Sequence, residues 1–188
     1  MEKFAKTARR LTTTLVEILA DNLGVIKSGT YFQENCPPSS SYLRMNRYPP
    51  CPYSSSKMVY GLIPHTDSDF LSVVYQDQVG GLQLFKDGRW IAVKPNPNAL
   101  VINIGDLFQA LSNGVYKSIK HRVMATEVER LSAAYFYCPT NDAIIESCGE
   151  EPAIYKQFTF GEYKIQNEKD VQDTGNKIGL QRFLRTYI

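Results

Sequence analysis

The 188-residue chain is long enough for one domain with a hydrophobic core, and its 43% hydrophobic and 21% charged residues are typical of a globular protein. A formal net charge of +2, without a run of basic residues, argues against nucleic-acid and membrane partners. No apolar stretch approaches the roughly 20 residues that span a bilayer, and the basic N-terminus lacks the apolar segment of a secretory signal.

The chain opens with a predicted amphipathic helix. Apolar residues recur at helical spacing between Phe4 and Leu23, and Gly24 offers a stop at the C-terminal end. A single apolar stripe implies that this helix packs on the rest of the protein. We therefore interpret residues 1–30 as a helical segment that covers the core.

Short runs of β-forming residues, separated by turn residues, dominate the middle of the chain. Lys86-Asp87-Gly88-Arg89 predicts a hairpin, and the nearly continuous apolar run 99–104 predicts a strand covered on both faces. Tyr116–Ala125 and Arg130–Tyr137 are predicted as two paired strands of a hairpin with a tight turn at 126–129. A short helical turn is expected at Asp106–Ser112. The other predicted strands are Tyr42–Tyr48, Tyr60–Ile63, Leu71–Gln76, Leu82–Phe85 and Trp90–Lys94.

The tail, residues 161–187, returns to helical and polar character. The sequence therefore predicts a mainly β protein with flanking helices and a double-stranded β-helix core, which is a cupin-like jelly roll. We expect this core to span residues 42–140. A C-terminal extension with a helix is expected at 141–188.

Histidine is scarce, because the chain has only His65 and His121. In an extended His65-Thr66-Asp67 segment the imidazole and the carboxylate share a face, so both can reach one metal ion. His121, on a distant strand, would supply a third ligand. Two histidines and one carboxylate form the facial triad of non-haem iron(II) oxygenases, which leaves coordination positions open. Zinc, or no metal, is the alternative, because an H-x-D motif alone is weak.

An arginine and a serine follow the second histidine. Arg130 and Ser132 share a face of their predicted strand, and an arginine that points into a barrel requires an anion. Its planar fork suits a carboxylate, so the pair predicts a clamp for a short dicarboxylic keto acid that bridges arginine and metal. Asn46 and Tyr48, which share a face of an earlier strand, are candidate further donors. The alternative is a surface arginine on an edge strand.

Several short motifs occur in one order along the chain: Asn46-Arg47-Tyr48-Pro49-Pro50-Cys51-Pro52, His65-Thr66-Asp67, residues 78–84, Asn103-Ile104-Gly105-Asp106, His121-Arg122-Val123 and Arg130-x-Ser132. In these motifs the sequence resembles the plant 2-oxoglutarate- and iron(II)-dependent dioxygenases over essentially its whole length. The run 65–78 is most similar to gibberellin 2-oxidases (gibberellin 2-beta-dioxygenases) of the group that acts on C20 gibberellins.

The resemblance implies roles for seven residues. His65, Asp67 and His121 would be the catalytic iron(II) ligands. The residues that would bind 2-oxoglutarate are Arg130, Ser132, Tyr48 and Asn46. The implied reaction is 2-beta-hydroxylation of a gibberellin by dioxygen, with release of succinate and CO2, support from ascorbate, and inactivation of the hormone.

The resemblance leaves alternatives open. Another plant 2-oxoglutarate oxygenase, such as a gibberellin 20-oxidase or a flavonoid-type enzyme, would share the iron site. Family members carry an N-terminal region ahead of the first helix, and this chain is expected to lack it, so a truncated, non-catalytic remnant is the other alternative. We expect a monomer in the cytoplasm, with a nuclear pool as a further option.

The four cysteines, Cys36, Cys51, Cys138 and Cys148, include no C-x-x-C pair, which argues against a structural zinc site. Free thiols in a reducing intracellular compartment are the favoured interpretation. A disulfide between one pair of them is the alternative.

Overall fold

The structure, a computed structural model, describes residues 2–24, 28–54, 57–148 and 152–186. Parts of the segments predicted to flank the core, namely residues 1, 25–27, 149–151 and 187–188, lie outside the described residues. The helices are α1 (Glu2–Asp21), α2 (Ser28–Asn35), α3 (Asp106–Leu111) and α4 (Phe160–Thr174), with 3₁₀ turns at Pro38–Ser40 and Gly179–Phe183. The strands are β1 (Tyr42–Tyr48), β2 (Tyr60–His65), β3 (Leu71–Gln76), β4 (Leu82–Lys86), β5 (Arg89–Ala92), β6 (Val101–Ile104), β7 (His121–Met124), β8 (Arg130–Tyr137), β9 (Ile144–Ile145) and β10 (Phe158–Thr159).

Two four-stranded antiparallel sheets form the body of the protein. Sheet I has the order β1-β8-β3-β6, and sheet II has the order β2-β7-β4-β5. The chain crosses repeatedly from one sheet to the other, which is the topology of a double-stranded β-helix. The predicted fold class, a jelly-roll core with flanking helices, is therefore confirmed.

Helix α1 packs against β3 and β8 of sheet I. Its buried residues, Ala8, Thr12, Val16 and Ala20, follow at regular spacing and form one stripe along the helix, because four residues make about one turn. The stripe belongs to the same core as a group of buried rings, Phe32, Phe70, Phe108 and Tyr137. Sheet I is thus held on its helical side by apolar and aromatic packing.

Helix α2, which contributes Phe32 to that core, was not predicted. Its sequence contains glycine, threonine and asparagine, which are poor helix formers, so local propensity gives little signal. Burial of Phe32 against the neighbouring rings supplies the stabilisation that the local sequence lacks.

The hairpin predicted at residues 86–89 is present and joins β4 to β5. Asp87 and Gly88 both have positive φ angles, 50° and 76°, as a two-residue type I′ turn requires. The prediction for residues 99–104 is wrong in one respect. A strand forms at Val101–Ile104, but it lies at the edge of sheet I, and Ile102 remains 39% exposed.

The predicted pairing of Tyr116–Ala125 with Arg130–Tyr137 is also wrong. Strand β7 begins only at His121 and belongs to sheet II, whereas β8 belongs to sheet I, so the turn between them crosses from one sheet to the other. Two backbone amides ahead of β7 donate to side chains and not to a neighbouring strand. The Ser118 amide donates to Gln109 Oε1 (2.7 Å), and the Tyr116 amide donates to Ser112 Oγ (3.1 Å).

The C-terminal segment contains the predicted helix as α4. Thr159 and Glu162 form a capping box at its start, and Gly175, with a φ angle of 74°, ends it in the left-handed conformation. All four cysteines are free thiols. Within the described ranges, no helix is both long enough and apolar enough to cross a membrane.

Candidate active site

His65 and His121 are direct neighbours across the β2–β7 pair, and Asp67 follows in the loop after β2. The two imidazole centroids lie 4.3 Å apart. Each Nε2 atom lies 3.6 Å from Asp67 Oδ1, and one potential ligand atom from each residue lies within 4.8 Å of the others. The structure therefore brings together the three residues that the sequence suggested as metal ligands.

Both imidazoles are held with Nε2 available to a ligand. His65 Nδ1 lies 2.8 Å from the carbonyl oxygen of Ile63, and His121 Nδ1 lies 3.0 Å from that of Ile119. Since a carbonyl oxygen only accepts, each Nδ1 carries the proton and each Nε2 keeps its lone pair. Burial, followed by the neighbouring His121 imidazole, lowers the pKa of His65 and favours the neutral form that a metal requires.

Hydrogen bonds from two neighbouring strands orient the Asp67 carboxylate. Ser72 Oγ donates to Asp67 Oδ2 at 2.7 Å, and Asn103 Nδ2 donates to Ser72 Oγ at 3.2 Å. Ser72 and Asn103 are paired neighbours on β3 and β6. With Oδ2 occupied, Oδ1 faces the two imidazoles, so the donor set fits a single iron(II) ion.

A second group of hydrogen bonds ties the ligand loop to the C-terminal segment. Lys177 Nζ donates to the carbonyl oxygen of Thr66 (2.9 Å) and to Ser68 Oγ (2.7 Å), and it lies 2.7 Å from Asp106 Oδ2. Asp106 also accepts from Thr66 Oγ1 (2.9 Å) and from Tyr163 Oη. The segment around Asp67 is thus held by Lys177 of the C-terminal segment and by Asp106 of α3, which Tyr163 of α4 contacts in turn.

Arg130 begins β8 and is 1% exposed, which contradicts the alternative of a surface arginine. In the β1–β8 ladder Tyr48 lies opposite Arg130, and Asn46 lies opposite Ser132. The guanidinium stacks 5.0 Å from the centre of the Tyr48 ring, and Asn46 Nδ2 donates to Ser132 Oγ at 3.3 Å. The structure therefore also assembles the four residues suggested for keto-acid binding.

Among the described residues Arg130 hydrogen-bonds only to neutral groups, while the Asp77 carboxylate acts on it at longer range. Its Nη2 donates to Gln76 Oε1 (3.0 Å), its Nη1 lies 3.4 Å from Ser132 Oγ, and its Nε has no acceptor. Burial lowers the pKa of Arg130, which means that the folded protein disfavours this charge unless it is compensated. A buried guanidinium in a pocket that has no carboxylate in direct contact is the arrangement that a bound carboxylate stabilises.

All seven candidate residues line one pocket. Arg130 faces the metal ligands across the sandwich, because β8 and β7 belong to different sheets and are not a hairpin. Gln76, Ser72 and Lys177 were not suggested by the sequence, because they act only through contacts between distant segments.

The family comparisons agree with this geometry. The sequence model of the 2OG-Fe(II) oxygenase superfamily matches residues 39–139. The chain is 60% identical over 185 residues to Gibberellin 2-beta-dioxygenase 8 of Arabidopsis thaliana, a match that covers 98% of this chain and 53% of that protein. It is 49% identical over 191 residues to Gibberellin 2-beta-dioxygenase 6 of Oryza sativa subsp. japonica, with coverage of 98% and 52%.

Among solved structures, JOX2 in complex with 2OG, Fe and JA superposes with a TM-score of 0.78 at 37% identity, covering 87% of this chain and 50% of that one. The chain spans about half the length of the curated relatives it matches. The matched region, residues 39–139, contains every residue of the pocket discussed above. The chain therefore belongs to the 2OG-Fe(II) oxygenase superfamily.

Proposed function

We propose that this chain holds the catalytic core of an iron(II)- and 2-oxoglutarate-dependent oxygenase that hydroxylates a gibberellin at carbon 2, in the β orientation. The observation that carries the oxygenase proposal is one pocket that combines the convergent donors of His65, Asp67 and His121 with the buried guanidinium of Arg130, whose Nε has no acceptor. The relatives named gibberellin 2-beta-dioxygenases support the choice of substrate and position.

In this proposal His65, Asp67 and His121 hold the iron through two neutral imidazoles and one carboxylate. Bound iron(II) supplies the activation of dioxygen, with 2-oxoglutarate as the co-reductant that leaves as succinate and CO2. The overall reaction balances, because one oxygen atom enters the substrate C–H bond and the other enters succinate. Inactivation of the hormone is the expected biological result.

The remaining polar residues position the cosubstrate. Arg130 neutralises the carboxylate of 2-oxoglutarate that is far from the metal, and Ser132 donates to the same group. Asn46 orients the Ser132 hydroxyl, and the Tyr48 ring supports the face of the guanidinium. Apolar side chains complete the pocket and limit the access of water: Leu62, Val74, Leu82 and Val123.

The experiment supplies the chain with iron(II), ascorbate and 2-oxoglutarate, together with a C20 gibberellin, a C19 gibberellin or a flavanone. We expect the C20 gibberellin to gain one oxygen atom at carbon 2, with an equal amount of succinate. The variants His65→Ala and Asp67→Ala should lose this activity, and turnover that survives either change would refute the iron site.

The panel also separates the alternatives. Oxidation of the flavanone but of neither gibberellin would favour a flavonoid-type enzyme, and a product oxidised at carbon 20 would favour a gibberellin 20-oxidase. Absence of succinate under every condition would favour a non-catalytic remnant. The supporting effect of ascorbate, the monomeric state and the cytoplasmic or nuclear location stay predictions.

A further inference from the structure

A second arginine lies on the face of β1 that carries the cosubstrate residues. Arg44 shares this face with Asn46 and Tyr48, because alternate residues of a strand point the same way, and all three line the pocket. In the β1–β8 ladder Arg44 lies opposite Ala134, whereas Tyr48 lies opposite Arg130. The rise of a strand separates Arg44 from the Arg130 end of the pocket by about 13 Å.

The Arg44 guanidinium is positioned by aromatic rings. It lies 5.4 Å from the centre of the Phe136 ring and 6.0 Å from that of Tyr42, and these two rings stack with centroids 4.7 Å apart. Such stacking covers the flat face of a guanidinium and leaves its N–H edge available. Within the described part of the chain, Arg44 donates no hydrogen bond and forms no ion pair.

Arg44 stands where the metal pocket opens into a wider groove. Together with Asn46, Tyr48 and Leu62 it lines both cavities, and the groove continues between β1 and β2. A ligand that enters the metal pocket from the groove therefore passes this guanidinium. Arg44 is exposed and lines the groove, so it is accessible to such a ligand.

The other cations of these cavities already have a role. Arg47 lines the groove but pairs with Glu129 at 2.6 Å, and Arg130 lies at the cosubstrate end. Among the described residues that line either cavity, Asp67 alone carries a carboxylate, and it faces the imidazoles. Arg44 is consequently a positive charge at the entrance that the described residues leave unneutralised.

We propose that Arg44 binds the carboxylate of the primary substrate and so selects apolar carboxylic acids over neutral ring compounds. In this arrangement Phe136, stacked beneath the guanidinium, packs against the apolar body of the acid as it extends towards the metal. The inference rests on the proposed function, since gibberellins are apolar, polycyclic carboxylic acids. Arg44 would determine substrate specificity, in addition to the residues that hold the iron and 2-oxoglutarate.

The test measures binding without turnover. The chain is loaded with Mn(II) and 2-oxoglutarate, and the Kd is measured for a C20 gibberellin, for its methyl ester, and for indole-3-acetic acid with its methyl ester. We expect the wild type to bind each acid about tenfold to a hundredfold more tightly than the matching ester, as for a charge-assisted pair. Arg44→Gln should bind acid and ester equally, and Arg44→Lys should keep part of the preference.

Arg89→Gln is the matched control, because it removes the same charge from an exposed position on β5 that lines neither cavity. It should keep the acid preference of the wild type. An acid preference that survives in Arg44→Gln would overturn the proposal, and so would a wild type that binds acids and esters equally. Binding of indole-3-acetic acid through Arg44, without binding of the gibberellin, would support the role of Arg44 and contradict the gibberellin assignment alone.

Discussion

Lys177 reaches from the C-terminal segment to Asp106, with its Nζ atom 2.7 Å from Asp106 Oδ2. The Lys177 side chain is 16% exposed and that of Asp106 is 5% exposed, so this ion pair is largely removed from water. Both partners also contact the segment that leads from His65 to Asp67, since Lys177 donates to the Thr66 carbonyl and the Asp106 amide donates to the Asp67 carbonyl. A contact between the C-terminal segment and the start of α3 thus supports the candidate metal ligands.

Lys177→Met should destabilise the protein and weaken metal binding together. It leaves the Asp106 carboxylate buried without its cation, which costs about 3 kcal/mol when one partner of a buried pair is removed. The free energy of unfolding and the Kd for Mn(II) measure the two effects. Lys6→Met is the control, because Lys6 and Glu2 form an exposed pair (75% and 82%), worth at most about 0.5 kcal/mol. Equal effects of the two variants would contradict the supporting role of Lys177.

Ser72→Ala should lower metal affinity about tenfold to a hundredfold, as is typical when a partner that orients a ligand is removed. The change deletes the hydrogen bond that holds Asp67 Oδ2 and leaves Asn103 without its acceptor. Titration of Mn(II) or Fe(II) in the absence of oxygen gives the affinity. Thr7→Ala, which removes an exposed hydroxyl on α1, should leave it unchanged. A Ser72→Ala chain with wild-type metal affinity would show that Asp67 needs no such support.

Arg130→Gln should raise the Kd of 2-oxoglutarate by about a hundredfold, because a charge-assisted pair in a buried pocket is lost. Metal affinity should stay close to that of the wild type, since Arg130 contacts none of the suggested ligands. Ser132→Ala should have a smaller effect, about fivefold, as expected for one neutral donor. A matching rise in both dissociation constants would indicate a damaged fold and not a lost clamp.

Gly105→Ala should be among the most damaging small substitutions. A Cβ atom at this position would lie 2.1 Å from Asp69 Oδ1 and 2.2 Å from the Asp69 carbonyl oxygen, so the backbone beside the metal loop must shift. Overpacking of this kind costs about 3 kcal/mol, and the shift should also weaken metal binding.

Gly88→Ala provides the comparison for Gly105. Gly88 has a φ angle of 76° but no neighbour within 4 Å of the added atom, so the cost is backbone strain of about 1 kcal/mol with no effect on the metal. Denaturant unfolding and Mn(II) titration of the two variants measure the difference. Equal unfolding free energies would show that the loop around Asp69 adapts without strain.

The residues of the site could be predicted because their signal is local. His65 and Asp67 are two positions apart, Arg130 and Ser132 are likewise spaced, and such pairs share a face of an extended chain. Which strands pair could not be predicted in the same way. The turn after β7 has the features of a hairpin turn, yet hydrogen bonding to Asp77 and to β1 and β3 draws β8 into the other sheet.

The supporting residues were missed for a related reason. Ser72 contacts Asn103, Gln76 contacts Arg130, and each contact joins strands that are distant in sequence. A serine or glutamine in a strand carries no local sign that its side chain will meet a buried charge. Lys177 was missed because no periodic pattern links the C-terminal segment to the loop after β2.

The two candidate histidine ligands lie on sheet II, with Asp67 in the loop after β2, whereas Arg130 lies on sheet I, and this separation has a consequence for the choice of keto acid. Packed sheets keep a spacing of about 10 Å, so this distance limits which molecules can contact both sheets at once. If the proposed function holds, a keto acid must reach both the metal ligands and Arg130, so a five-carbon diacid would contact both, whereas the shorter four-carbon oxaloacetate would leave the guanidinium without a partner. The separation of the two sheets would thereby favour one of two metabolites that carry the same functional groups.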